Sequence, residues 1–248
     1  MAIFRGPDIV RGGLIAYYDV ASPRCVDASS TLDTNTRLNN LAGGTMQMQP
    51  HDTTNGNMSF VIDNGAYVYN QNGINAGSPG WKSTENQLRT DDFTFICWFK
   101  YTYGSSNQRS NNIYGGGFSG QTSFYLSPGG TSSSHGVLRY SDAGSTNNYS
   151  RTGAYGGNDN NWHQFAAIDS GPDGAHSTEV FIDGVSFGTT TSNGSYDTPD
   201  GSRQMVWGSW SITYGNFNGR SNCFMYYNRA LTSTEVVHNY NVTKNRFQ

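Results

Sequence analysis

Apolar positions along this chain recur mostly in short runs with a period of two, separated by polar stretches rich in turn residues. The strongest run is Phe93-Thr94-Phe95-Ile96-Cys97-Trp98-Phe99. Phe93, Phe95, Cys97 and Phe99 fall on one face and Ile96 and Trp98 on the other. Apolar residues on both faces predict a central strand covered on two sides. Further strands are predicted at Leu14 to Tyr18, Ser123 to Leu126, Gly136 to Tyr140, Trp162 to Ile168, Met205 to Gly208 and Asn222 to Tyr227. Two hairpins stand out. Met58 to Ile62 and Ala66 to Tyr69 flank Asp63-Asn64-Gly65, and Val180 to Phe187 is folded at Asp183-Gly184, the turn chemistry that matches strand twist. Ala21 to Thr45, Asn70 to Thr90, Tyr103 to Asn112 and Ser141 to Asn161 read as loops, and Gly115-Gly116-Gly117 as a turn or bulge.

One helix is predicted, from about Thr232 to Asn241. Thr232 with Glu235 three residues on forms a capping box, and Val236, Val237 and Tyr240 are placed on its buried face. Strand after strand with turn signals, and one helix at the end, gives an all-β antiparallel sandwich or barrel. No repeat or composition break divides the chain, so residues 1–248 are expected to form a single domain.

Composition supports this picture. Only 35% of the residues are hydrophobic and 13% charged, against the roughly 45–50% and 25% usual for globular chains, but 16 Tyr, 13 Phe and 5 Trp supply bulk for a core. There are 31 Gly, and just three Lys and three Glu, so helix-favouring surface residues are scarce. A net charge of −3 without any basic block argues against nucleic acid, which needs clustered cations. No run of about 18 apolar residues is present, which argues against membrane insertion. The first twenty residues lack the pattern of a secretory signal, so a product made in the cytoplasm, staying there or leaving by a route without a Sec signal, is expected. Cys25, Cys97 and Cys223 form no close pair and are expected as buried free thiols, with a Cys97–Cys223 bridge left open.

The segment from Phe217 to Asn241, with Tyr227-Asn228-Arg229-Ala230-Leu231-Thr232 followed by Glu235-Val236, resembles the closing signature of concanavalin A-like lectin/laminin-G-like domains. Gly13 to Asp19 is similar to the opening strand of that family, Phe93 to Lys100 to its central strand, and Trp162-His163 with Val180 to Gly184 to a further strand pair. The resemblance implies a jelly-roll β-sandwich of two antiparallel sheets with one short C-terminal helix. Asp183, Gly184, Asn228 and Arg229 are its structural signature. The form of the tail is especially similar to virion proteins of tailed bacteriophages. That implies a capsid decoration, tail knob or fibre module that packs against the major capsid or tail protein of the virion. A homo-oligomer, taken as a trimer, and contact with host polysaccharide are part of the same expectation. The other readings are a glycan-binding adhesin without a virion and, least favoured, an endo-glycosidase.

Candidate chemistry is sparse. Sandwich glucanases carry paired acids on one strand, about 5 Å apart for retaining chemistry. Here Glu85, Glu179 and Glu235 are far apart in sequence, so no catalytic residue is assigned and no enzyme is expected. His51, His135, His163, His176 and His238 show no metal-ligand spacing. No cofactor is expected, and calcium, which family members bind through loop oxygens, has candidates only at Asp91-Asp92 and Asp169 to Asp173. Aromatics on polar stretches, Trp81, Tyr103, Tyr114, Tyr149, Tyr155, Trp210 and Tyr214, are the candidate glycan- or partner-binding residues. For any single one, inward packing or a subunit interface outweighs sugar stacking.

Overall fold

The computed structural model describes residues 8–51, 58–71, 80–86, 92–101, 114–116, 123–127, 137–141, 159–171, 176–192, 204–208, 217 and 219–248. In chain order the strands are β1 (Leu14–Tyr18), β2 (Met48–Pro50), β3 (Met58–Asp63), β4 (Ala66–Gln71), β5 (Trp81–Asn86), β6 (Phe93–Tyr101), β7 (Tyr114–Gly116), β8 (Ser123–Ser127), β9 (Val137–Ser141), β10 (Trp162–Ser170), β11 (His176–Ile182), β12 (Val185–Ser192), β13 (Gln204–Trp207) and β14 (Gly219–Tyr227). Helix α1 (Ser233–Thr243) follows, then a 3-10 turn over Lys244–Arg246. Every strand pairing among the described residues is antiparallel.

The larger sheet has the order β12-β11-β10-β6-β14-β4-β3, with β1 also paired to β14. A four-stranded sheet, β2-β5-β13-β7, covers one of its faces, and β8 and β9 form a separate ribbon. β6 lies in the middle of the large sheet and shows why its sequence is apolar throughout. Phe93, Phe95, Cys97 and Phe99 pack into the core between the sheets, with Tyr69, Trp81 and Trp207. Ile96 and Trp98 pack on the outer face, with Trp162, Val236 and Phe247. The expectation of a strand covered on both sides is met, the second cover being α1 and the C-terminal turn.

β14 serves two neighbours in succession. Its first part pairs with β4 and its last part with β1. Between them lies a bulge: Asn222 faces Trp98 and Met225 faces Ile96, one residue more on β14 than on β6. Cys223 sits there with φ +51°. The extra residue exchanges inward and outward positions along the strand, so Phe224 and Tyr226 join the inner core while Cys223 and Met225 join the outer one. The buried Asn222 side chain fills the gap, accepting from Val20 N at 3.0 Å and donating to Tyr67 O at 3.2 Å. Cys97 and Cys223 thus face opposite sides of the sheet, and all three cysteines are free and buried.

Both expected hairpins form. Asn64 and Gly65 have φ of 50° and 77°, and Asp183 and Gly184 of 51° and 74°, the left-handed pair of a type I′ turn. A side chain at Gly184 would press on Tyr240 of α1, whose Cδ1 lies 3.0 Å from the Cβ position. The capping box of α1 is present in both directions, between Thr232 and Glu235.

Three expectations are corrected. Trp81–Asn86, read as loop, is strand β5. Tyr114–Gly116, read as a loop aromatic followed by a glycine turn or bulge, is strand β7, paired with β13. On α1 the buried positions are Val236, Asn239 and Thr243, while Val237 is exposed. Asn239 is buried because it donates to Tyr227 Oη and accepts from Val10 N, so a polar residue takes the place that the apolar pattern gave to its neighbour.

Candidate functional site

Beside the start of α1, a groove of about 340 Å³ opens over the outer side of β10, β11 and β12. Its floor follows from strand register. Ile168 on β10 faces Glu179 on β11, which faces Thr189 on β12, so these three side chains form one row. Ser170 and Ser177 face each other in the next row. The wall is the link from β14 to α1, with Ala230, Leu231, Thr232 and Ser233. Among the described residues the lining is thus five hydroxyls and one carboxylate around an apolar strip of Ile168, Ala230 and Leu231. Glu179 accepts from Ser186 Oγ at 2.6 Å and from Ser233 Oγ at 3.4 Å. Those two bonds tie the edge hairpin to the helix start, while each carboxylate oxygen keeps acceptor capacity for a further donor.

The signature residues brace the wall through hydrogen bonds. Asn228 N donates to Gly13 O at 2.9 Å. Arg229 donates through Nε to Gly12 O at 2.9 Å and forks onto Glu235, its NH1 reaching Oε2 at 2.9 Å. Gly13, at φ +77°, lets the arginine stem cross it; a Cβ there would lie 2.9 Å from Arg229 Cγ. The Arg229 guanidinium pulls the Glu235 carboxyl down to about 2, which holds it ionised.

At the far end of β10, His163 stands between two carboxylates. Nδ1 is 2.6 Å from Asp183 Oδ2 and Nε2 is 3.1 Å from Asp159 Oδ1. The bond to Asp183 raises its pKa, against the burial that lowers it, and Asp159 adds to the rise. The other oxygen of Asp183 accepts from Gln164 N at 2.8 Å. This arrangement fixes the hairpin turn to β10, so His163 and Asp183 are positioning groups for the fold.

Of the candidate binding aromatics, Trp81 is corrected. It is 0% exposed, stacked on Phe60 at 6.0 Å and edge-on to Tyr69 at 5.7 Å. As an inward position of β5 it fills the inter-sheet core and cannot reach a sugar. Tyr114 opens β7, its backbone opposite Trp207. Tyr103, Tyr149, Tyr155, Trp210 and Tyr214 lie outside the described residues. Of the calcium candidates, Asp91 and Asp173 also lie outside them. Asp92 accepts from Gly171 N at 2.9 Å, and the buried Asp169 accepts from Thr178 Oγ1 at 3.0 Å. Among the described residues no group of three or more His, Cys, Asp or Glu is arranged to hold a metal ion.

Sequence reasoning missed Ser170, Ser177, Glu179, Thr189 and Ser233. Serine and threonine are common throughout the chain, and only register across three strands brings these together.

Two stacked antiparallel sheets, with a helix packed on the outer face of the larger and a hydroxyl-lined groove beside it, define a lectin-type β-sandwich. A family profile of the concanavalin A-like lectin/glucanases superfamily matches residues 75–237, and the chain belongs to that family. No curated protein matches it in sequence. Among solved structures it is similar to domain 4 of AbnA, a GH43 extracellular arabinanase from Geobacillus stearothermophilus, in complex with arabinotriose. The TM-score is 0.62 at 15% identity, covering 92% of this chain and 98% of that one. It is also similar to the binding domain of Paraclostridial Mosquitocidal Protein 1, with TM-score 0.64, 13% identity and 92% and 52% coverage. A third is the binding domain of Botulinum neurotoxin DC in complex with rat synaptotagmin II, with TM-score 0.61, 11% identity and 94% and 52% coverage. The chain spans about half the length of the two toxin chains. At these identities the likeness is one of fold.

Proposed function

We propose that this domain is a non-catalytic recognition module whose outer-face groove takes a glycan. The observation that carries the reading is the composition of the groove: Glu179 and five hydroxyls set around Ile168 and Leu231. A sugar ring offers donors and acceptors along its rim and C–H groups on its faces. Serine and threonine hydroxyls can serve either role, a carboxylate accepts from neighbouring sugar hydroxyls, and the apolar strip meets the C–H face. The fold is shared with a domain whose solved structure holds arabinotriose, which supports the reading.

The non-catalytic part rests on the fate of the glutamates. Glu235 is engaged by Arg229, Glu85 lies on β5 in the other sheet, and Glu179 stands in the groove as its one lining carboxylate among the described residues. Hydrolysis by the usual two-acid route needs a second one about 5–10 Å away. The test is a glycan array followed by titration calorimetry with the wild type and Glu179→Ala, with and without EDTA, and a reducing-sugar assay on laminarin, agar and alginate. The reading expects binding that is lost in the variant and insensitive to EDTA, with no sugar released. Binding unchanged in Glu179→Ala, or sustained release of reducing ends, would sink it.

A second reading sets the module on a phage particle as a capsid decoration, tail knob or fibre module, trimeric and packed against the major capsid or tail protein. The closing segment 217–241 favours it through its similarity to phage virion proteins, and so do three reduced, buried thiols, which suit assembly in a reducing cytoplasm. Peptides of this chain in purified particles, and a trimer by light scattering, are the expected results. A monomer absent from particles would remove this reading and leave the first.

A further inference from the structure

We infer that the groove selects by charge, taking uncharged glycans and turning away acidic ones, with Glu179 as the specificity-determining residue. This rests on the glycan reading above and names the substrate class for the same groove.

The argument begins with what faces Glu179. Among the described residues the groove lining contains no Lys, Arg or His. Both bonds that the carboxylate receives come from neutral hydroxyls, those of Ser186 and Ser233, so its negative charge is not cancelled by a cation among the described residues. Arg229 is close in sequence to the wall, but its guanidinium is occupied by Glu235 and by Gly12 O. A uronate, sialyl or sulfate group entering the groove would meet a like charge with no counter-ion among the described residues.

Among the described residues, the feature beside the groove that would welcome an anion is the start of α1, where backbone N–H groups and the helix dipole favour negative charge. That place is taken. Glu235 bonds Thr232 N at 2.8 Å, the Thr232 hydroxyl takes Glu235 N at 3.2 Å, and Glu179 accepts from Ser233 Oγ. The helix start therefore already has its anions, and a ligand carboxylate gains nothing there. A neutral sugar hydroxyl, in contrast, can donate to Glu179, and a charge-assisted bond of that kind is stronger than a neutral one. The same carboxylate thus attracts one class of ligand and repels the other, the two halves of a specificity device.

The experiment uses the intact protein against matched neutral and acidic oligosaccharides of the same backbone, in low and high salt, with the wild type and Glu179→Gln. Glutamine keeps the shape and removes the charge. The wild type is expected to bind neutral members at least about tenfold more tightly. The gap should close to within roughly threefold in the variant, and narrow in the wild type when salt rises from about 50 mM to 500 mM. The salt arm stands even if the variant does not fold. Equal or tighter binding of the acidic members overturns the inference while leaving the glycan reading in place. A gap that persists in Glu179→Gln and at high salt assigns the discrimination to shape and overturns it as well. Binding to neither class overturns both.

Discussion

Arg229 and Glu235 close a fork across the junction between β14 and α1, and the same glutamate oxygen that takes Arg229 NH1 at 2.9 Å also takes Thr232 N at 2.8 Å. One carboxylate therefore caps the helix and anchors the link from β14 to α1 that forms the groove wall. Replacing Glu235 with Gln should cost about 1 kcal/mol, the scale of a helix cap plus a partly exposed ion pair. The sign of the pH dependence follows from the depressed carboxyl, at about 2 in the fold. Its contribution is whole above the ordinary glutamate range and is lost as pH falls towards 2. The difference in melting temperature between wild type and Glu235→Gln should shrink from pH 6 to pH 2. A constant difference would show that the fork is not what the substitution removes.

His163 gives the opposite slope. Its pKa is raised, first by Asp183, against burial, and then by Asp159, so its contribution is whole below the ordinary histidine range and is lost as pH rises through the raised value. Among the groups that face it are those two carboxylates and the Phe99 ring at 6.0 Å. His163→Gln should destabilise the protein at pH 6 by about 1–2 kcal/mol, with the difference fading towards pH 9. An NMR titration placing His163 at or below the ordinary value would refute this.

These locks show how much could be read from the chain. The alternation of β6, the turns at Asn64-Gly65 and Asp183-Gly184, and the Thr232–Glu235 box are local signals, and each element formed as its pattern predicted. Strand β5 was hidden because only Trp81 and Ser83 of its first residues point inward, while Lys82 and Thr84 make it look like loop. It exists because β2 and β13 pair with it on either side. β7 was hidden by its glycines for the same reason, its partner lying about ninety residues away at Met205 to Trp207. The groove was illegible in a stronger sense, since its rows are products of register and no residue type in it is unusual. The similarity of residues 217–241 to a family signature pointed to Asn228 and Arg229 as structural residues without naming their partners; the fork from Arg229 to Glu235 emerges only from the fold.

Phe247 should be the costliest C-terminal position. It is 4% exposed, with its ring 4.6 Å from Trp98 and 5.0 Å from Trp162, and its carbonyl accepts from Asn64 Nδ2 at 3.2 Å. Arg246 beside it holds the buried Asp19 through both nitrogens, at 2.7 and 2.9 Å. Phe247→Ala should lower stability by about 3 kcal/mol, within the range for losing a buried ring. Denaturant unfolding measures it, and a change under about 1 kcal/mol would mean that the outer core is not closed by the tail.

The thiols offer a test of the two-sided core that needs no mutation. Cys97 points into the space between the sheets, Cys223 lies under Arg246 and Met225 on the opposite face, and Cys25 is enclosed by the long connection after β1. Burial raises all three pKa values, Cys25 to about 12, so at neutral pH each is a protonated, inaccessible and unreactive group. The native protein should therefore release almost no colour with a thiol-disulfide reagent over minutes. In guanidinium the full complement of three should react. Because the cysteines sit in different layers, their rates on slow addition of denaturant report which layer opens first. The outer layer, closed by one helix and a short tail, should expose Cys223 before Cys97, and mass spectrometry of the labelled peptides reads the order. Labelling of Cys97 in the native state, or ahead of Cys223, would contradict an inner core sealed by two sheets.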